Sequence, residues 1–131
     1  MRAALFREAH KPLIVEDVTV DNPAEREVLV RTGAKGVCHS DLHFIDGDLP
    51  GGRRPMVMGH EAAGVVEAVG SDVTEVKPGD HVVACLSGFC GTCPQCLGGH
   101  PNLCGSRYVS RKRGAPPRLS LDGDPLIQFA D

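Results

Sequence analysis

Apolar and polar positions alternate, or give way to short valine-rich runs, over five stretches: Arg2 to Arg7, Leu13 to Val20, Glu27 to Thr32, Gly64 to Val69 and Asp80 to Ala84. A period of two is the mark of strands. Asn22-Pro23, Gly51-Gly52, Gly70-Ser71 and Pro78-Gly79-Asp80 separate the runs with turn chemistry. The pattern predicts a mainly β fold, a small antiparallel barrel or sandwich. In the first half the best helix candidate is His39 to Phe44, about one turn long, with Ser40 or Asp41 placed to cap it.

From Gly88 to Pro117 the texture changes to Gly, Cys, Pro and Arg with almost no periodicity. Such a segment has no apolar face to bury and needs another source of order, which a bound metal would supply. After Gly114, Ala-Pro-Pro and then Leu-Ser-Leu-Asp-Gly-Asp-Pro-Leu predict a loop and an Asp-Gly turn before a last strand starting near Leu126. The chain stops as that strand begins, which reads as a fragment of a longer protein.

Length and composition narrow the picture. A chain of 131 residues with 41% apolar and 24% charged residues fits one folded, water-soluble domain. Net charge is −3, and the one dense basic cluster (Arg107, Arg111, Lys112, Arg113) sits in a Gly/Pro-flanked stretch rather than on a stripe. Nucleic acid is therefore not an expected partner. No run approaches the roughly 18 to 20 apolar residues that cross a bilayer, and the N-terminus lacks a signal-peptide pattern, so a cytoplasmic protein is expected.

In a reducing compartment, six cysteines point to metal or redox chemistry rather than disulfides. Cys90, Cys93, Cys96 and Cys104 read C-x2-C-x2-C-x7-C, four soft ligands in one short segment. That is the donor set of a closed tetrahedral Zn²⁺ site, structural because no position stays open for a substrate. Glycines at 91, 98, 99 and 105 allow the tight turns such wrapping needs. Two disulfides or an iron–sulfur centre are the alternatives, although the ferredoxin-type run ends C-x3-C-P whereas here seven residues precede the last Cys and Gly105 follows it. Four thiolates around one zinc would take the formal charge to about −5.

A second cluster joins Cys38-His39-Ser40-Asp41-Leu42-His43 to Gly59-His60-Glu61. The separation is too long for a local zinc knuckle but suits ligands brought together by folding. Cys38 and His60 are mixed S/N ligands of the type a catalytic zinc uses, and such a zinc lowers the pKa of a bound hydroxyl; Ser40 and His43 could then carry the proton outward. Taken singly, a Cys is usually a small buried hydrophobe and a His a packed or surface residue. Asp41 reads equally as a helix cap and Glu61 as a surface carboxylate, or both as groups that orient a histidine ligand or approach the metal.

Gly36-Val37-Cys38-His39-Ser40-Asp41, then Gly59-His60-Glu61-Ala62-Ala63-Gly64, Pro78-Gly79-Asp80 and the four-cysteine lobe, in that order and spacing, resemble the zinc-containing medium-chain alcohol dehydrogenases. The resemblance runs from Met1 through the lobe and weakens after Cys104. It implies a GroES-like, partly open β-barrel spanning 1–131 as an incomplete catalytic domain, with a structural zinc lobe at 88–105. Carried over by position, Cys38 and His60 match catalytic-zinc ligands and Glu61 a glutamate able to bind that zinc transiently. Asp41 would support His60, Ser40 would take the alcohol proton and His43 would end the relay, while His39 would face the cofactor phosphates. Leu86 falls at a substrate-pocket position. Cys85 matches no ligand position and is expected to be buried.

The resemblance further implies oxidation of a small alcohol to an aldehyde or ketone with NAD or NADP, in relatives that are homo-oligomers. Two features of the pattern have no counterpart in these 131 residues: a third cysteine ligand beyond the lobe, and the Rossmann G-x-G-x-x-G. The chain alone is accordingly expected to bind structural zinc without appreciable turnover. A non-enzymatic zinc-binding module is the alternative. The thiol-adduct (formaldehyde) dehydrogenases tend to carry Thr and Tyr where this chain has Ser40 and His43, which favours an ordinary alcohol dehydrogenase.

Overall fold

The computed structural model describes residues 1–49, 55–105, 111 and 114–128. Nine strands and two short α-helices follow the order β1 (Arg2–Phe6), β2 (Ile14–Asp17), β3 (Thr19–Val20), β4 (Val28–Lys35), α1 (His39–Ile45), β5 (Met56–Val57), β6 (Ala62–Val69), β7 (His81–Val83), α2 (Pro94–Leu97), β8 (Leu119–Leu121) and β9 (Asp124–Gln128). A 3₁₀ turn, Pro101–Leu103, follows α2. Six strands form one sheet in the order β2-β1-β5-β9-β8-β3, and three form a second, β4-β6-β7. The mainly β expectation holds. Among the described residues no helix is long and apolar enough to cross a membrane.

All pairings are antiparallel except β5 with β9, where Met56 faces Ile127. The first sheet supplies the core. Alternate residues of β1 point to opposite sides: Ala3 and Leu5 pack with Val18, Val57, Leu119 and Leu126, while Phe6 packs with Met56 and Met58. Leu5 and Phe6 are fully buried, each such side chain contributing about 1.5–3 kcal/mol. Phe44 and Ile45 of α1 pack on the Phe6 cluster, with the Phe6 and Phe44 rings edge to face at 6.3 Å. The helix bearing the candidate site is thereby anchored to the larger sheet.

Several sequence expectations shift. The single run Leu13 to Val20 is two strands, with Val18 N–H turned aside to donate to the Met1 carbonyl at 2.7 Å. Leu-Ser-Leu, expected as loop, is β8, paired through Leu119 with Val20. The last strand begins at Asp124 rather than near Leu126. Between them Asp122 (φ 51°) and Gly123 (φ 89°) form the Asp-Gly turn, both central residues in the left-handed region as a tight hairpin turn requires. Gly51-Gly52 lies outside the described residues, as do Arg107, Lys112 and Arg113 of the basic cluster.

Arg111 anchors the far loop. Its guanidinium donates to both oxygens of Glu27 (2.6 to 3.0 Å), to Asp21 Oδ2 at 2.9 Å and to the carbonyls of Asn22 and Pro116. Arg118 Nε adds a 2.6 Å bond to Glu27 Oε1. The Glu27 carboxyl is held down to about 2, first by its hydrogen bonds from Arg111 and against the opposing effect of burial. Order beyond the cysteines thus comes from an ion-paired network as well as from any metal.

Candidate metal centres

The second sheet brings the Cys38, His60 and Glu61 cluster together. β4 and β6 pair from Val28↔Val69 to Lys35↔Ala62, with bulges between Leu29/Val30 and Thr32/Ala34. The ladder extends one step further, Gly36 N–H donating to the Glu61 carbonyl at 3.0 Å. The residues just after β4 and just before β6 are therefore neighbours. Cys38 Sγ, a His60 ring nitrogen and a Glu61 carboxylate oxygen all lie within 4.8 Å of one another.

Cys38 is the N-cap of α1. Ser40 and Asp41, expected as caps, are instead its second and third residues. Asp41 still caps, from inside the helix: its Oδ2 accepts the Cys38 N–H at 3.1 Å. The helix starts one residue before Ser40 because the extended Cys38 ends the excursion from β4. Asp41 is the one charged residue buried among those described, and its Oδ1 lies 3.9 Å from His60 Nδ1, both side chains more than nine-tenths buried. Ser40 Oγ is 3.2 Å from Cys38 Sγ and 3.5 Å from His60 Nε2. A hydroxyl, a thiol and an imidazole nitrogen thus converge on one point.

His43 and His39 stand one helical turn apart with ring centroids 4.8 Å apart, and His43 Nδ1 is 3.4 Å from Asp48 Oδ2. His39 is exposed. Leu86 is exposed beyond the end of β7. Cys85, expected to be buried, is exposed too. β7 is the edge of the smaller sheet, and at Cys85 the chain has already left it for the lobe, where the Cys85 thiol lies 3.7 Å from the Ser87 carbonyl. An open groove of about 510 Å³ runs past Cys85, Val28, Val76 and Phe89; no residue of either candidate metal cluster lines it.

The four lobe cysteines converge on one another in a separate cluster, all free thiols. Their sulfurs are 3.4 Å (Cys93–Cys96), 3.7 Å (Cys90–Cys104), 3.8 Å (Cys93–Cys104) and 4.0 Å (Cys90–Cys96) apart. A tetrahedron of sulfurs about 2.3 Å from a zinc ion has edges of about 3.8 Å. The cage fits one ion; it is far too open for disulfides, whose sulfurs bond at about 2.05 Å, and too tight to enclose a cluster of several irons. Backbone N–H groups of Thr92 and Cys93 donate to Cys90 Sγ at 3.4 and 3.3 Å, and the Thr92 hydroxyl at 3.5 Å. These bonds, the Thr92 hydroxyl first, pull the Cys90 thiol down to about 5, while desolvation first of all pushes Cys96 up. Sequence reasoning passed over Thr92 although a hydroxyl inside a two-residue spacer was visible.

The alcohol dehydrogenase GroES-like domain matches residues 24–120. The chain belongs to that family. It is 46% identical over 115 residues to the S-(hydroxymethyl)glutathione dehydrogenase of Saccharomyces cerevisiae, covering 88% of this chain and 30% of that protein. It is 53% identical over 103 residues to the NDMA-dependent alcohol dehydrogenase of Amycolatopsis methanolica, covering 79% of this chain and 28% of the relative. Among solved structures, an alcohol dehydrogenase zinc-binding domain protein from Burkholderia ambifaria superposes with a TM-score of 0.82 at 39% identity, over 97% of this chain and 35% of the other. The chain spans about a third of these relatives' length.

Proposed function

We propose that this domain is the zinc-holding catalytic portion of an enzyme that oxidises a small alcohol to an aldehyde or ketone, with NAD or NADP as hydride acceptor. The observation that carries the reading is the convergence of Cys38, His60 and Glu61 donors within 4.8 Å, beside a Ser40 hydroxyl 3.2 Å from the Cys38 sulfur. In this reading Cys38, His60 and Glu61 hold a catalytic zinc, and Cys90, Cys93, Cys96 and Cys104 a structural one. Bound zinc would polarise the alcohol oxygen and make its proton acidic.

The remaining work falls to side chains. Ser40 accepts the alcohol proton, and His43, one turn further along α1, passes it towards solvent. Asp41 holds the His60 ring from its buried position. His39, exposed on the same helix, is the residue offered to the cofactor phosphates. Specificity for a glutathione adduct, as in the name of the yeast relative, is the second reading; Ser40 and His43 favour the simpler alcohol.

Elemental analysis of the purified chain tests the proposal. Two zinc ions per chain are expected, falling to one in Cys38→Ser. A single zinc in the unaltered chain, unaffected by Cys38→Ser, would refute a second site. Appreciable NAD(P)-linked alcohol oxidation is not expected from these 131 residues, which contain no G-x-G-x-x-G to hold a dinucleotide.

A further inference from the structure

Glu61 is exposed, and a long carboxylate side chain at a surface has many rotamers open to it. Its carboxylate nevertheless lies back over the cluster formed with Cys38 and His60. The surface it lies against is Gly36. A Cβ added to Gly36 would overlap Glu61 Oε2 outright and come 3.1 Å from both Glu61 Cβ and Cδ.

Backbone conformation does not demand glycine at this position. Gly36 is absent from the glycines with positive φ, and its N–H bond to the Glu61 carbonyl is one that any residue except proline would keep. Gly59 differs: its φ of 94° is left-handed, a conformation that favours glycine whatever the neighbours. Only the space taken by the Glu61 side chain requires a bare backbone at 36.

We infer that Gly36 is a positioning residue: its lack of a side chain is what lets the Glu61 carboxylate fold inward and act as the third donor beside Cys38 and His60. The inference rests on reading that cluster as a zinc site. A methyl group at 36 displaces the carboxylate into solvent and leaves two protein donors. The effect passes mainly through the carboxylate, whose Oε2 makes the severe overlap, so most of it is lost when the carboxylate is removed.

The test is a titration of the metal-free chain with Co²⁺, read by its ligand-field bands, and with Zn²⁺ against a competing chelator. Wild type is expected to bind two ions and Cys38→Ser one, which identifies the signal of the second site. Gly36→Ala should weaken that site about 10- to 100-fold and alter its cobalt bands, as Glu61→Gln does, while the lobe ion and the circular dichroism stay unchanged. Added to Glu61→Ala, where the new methyl meets only the remaining Cβ at 3.1 Å, Gly36→Ala should weaken the second site far less than it does in the presence of the carboxylate. Wild-type affinity in Gly36→Ala, or equal weakening with and without the Glu61 carboxylate, overturns the proposal while leaving the zinc site standing. A lone lobe ion in wild type overturns both. Unfolding of Gly36→Ala that Glu61→Ala rescues supports the contact, and unfolding that it does not rescue overturns it.

Discussion

At the scale of single residues, Asp41 does two things with one buried carboxylate. Oδ2 caps α1 by accepting the Cys38 N–H, and Oδ1 faces His60 Nδ1. The two roles separate by mutation. Asp41→Asn keeps an acceptor for the cap but removes the charge beside the imidazole; Asp41→Ala removes both, and loss of a cap costs about 1 kcal/mol. Thermal unfolding followed by circular dichroism should therefore place Asp41→Ala below Asp41→Asn. Chelator competition should show both losing about tenfold or more in affinity at the second metal site. Unchanged metal affinity in Asp41→Asn would reduce Asp41 to a helix cap. Cys38, Asp41 and His60 were visible in the sequence because motif spacing names them, whereas the packing of Glu61 on Gly36 is a contact between strands that no spacing encodes.

Elements are held to one another by the Glu27–Arg111–Arg118 network, which ties the β3–β4 connection to the loop before β8. The Glu27 carboxyl titrates near 2 in the folded chain against a usual value of 4.5. Between those values the unfolded chain binds a proton that the folded chain does not, so stability rises with pH across this window. The contribution is complete above about pH 4.5 and is lost as pH falls towards 2. Partial exposure screens it, leaving about 1–2 kcal/mol rather than the full shift. Glu27→Gln should be less stable at neutral pH and lose less on acidification, as measured by urea midpoints from pH 5 to pH 2; parallel midpoint curves would exclude the network as the acid-labile element. Arg111 was read from sequence only as one of a basic cluster. Its acidic partners are more than eighty residues away, and ion pairing across that distance leaves no periodicity behind.

For the molecule as a whole, apolar burial orders the strands, and metal binding is proposed to order the lobe. The buried hydrophobic side chains lie in and around the strands, and within the lobe only Cys90 is among them. Leu97 and Leu103, the large aliphatic residues of its two helical turns, are exposed. With zinc held there as proposed, chelation should abolish hydrogen-exchange protection across 88–105 while β1, β5 and β6 keep theirs, because the lobe buries little apolar surface to offset its chain entropy. Retained lobe protection after zinc removal, followed by mass spectrometry, would contradict this. The lobe was the most legible part of the sequence, since its ligands follow one another locally. The strands were legible as alternation, but their neighbours were not.

The place of β9 has a temporal consequence. β9 sits inside the six-stranded sheet, parallel to β5 on one side and antiparallel to β8 on the other, and β3 joins that sheet only through β8. During synthesis β1 and β2 can pair as soon as they emerge, and β4, β6 and β7 soon after. The sheet that carries the core stays in two unconnected pieces until residues near 128 leave the ribosome. Its pairing is among the most distant in sequence, and such contacts form late. A nascent chain halted just after the cysteine lobe would hold both candidate metal clusters with the main sheet still open.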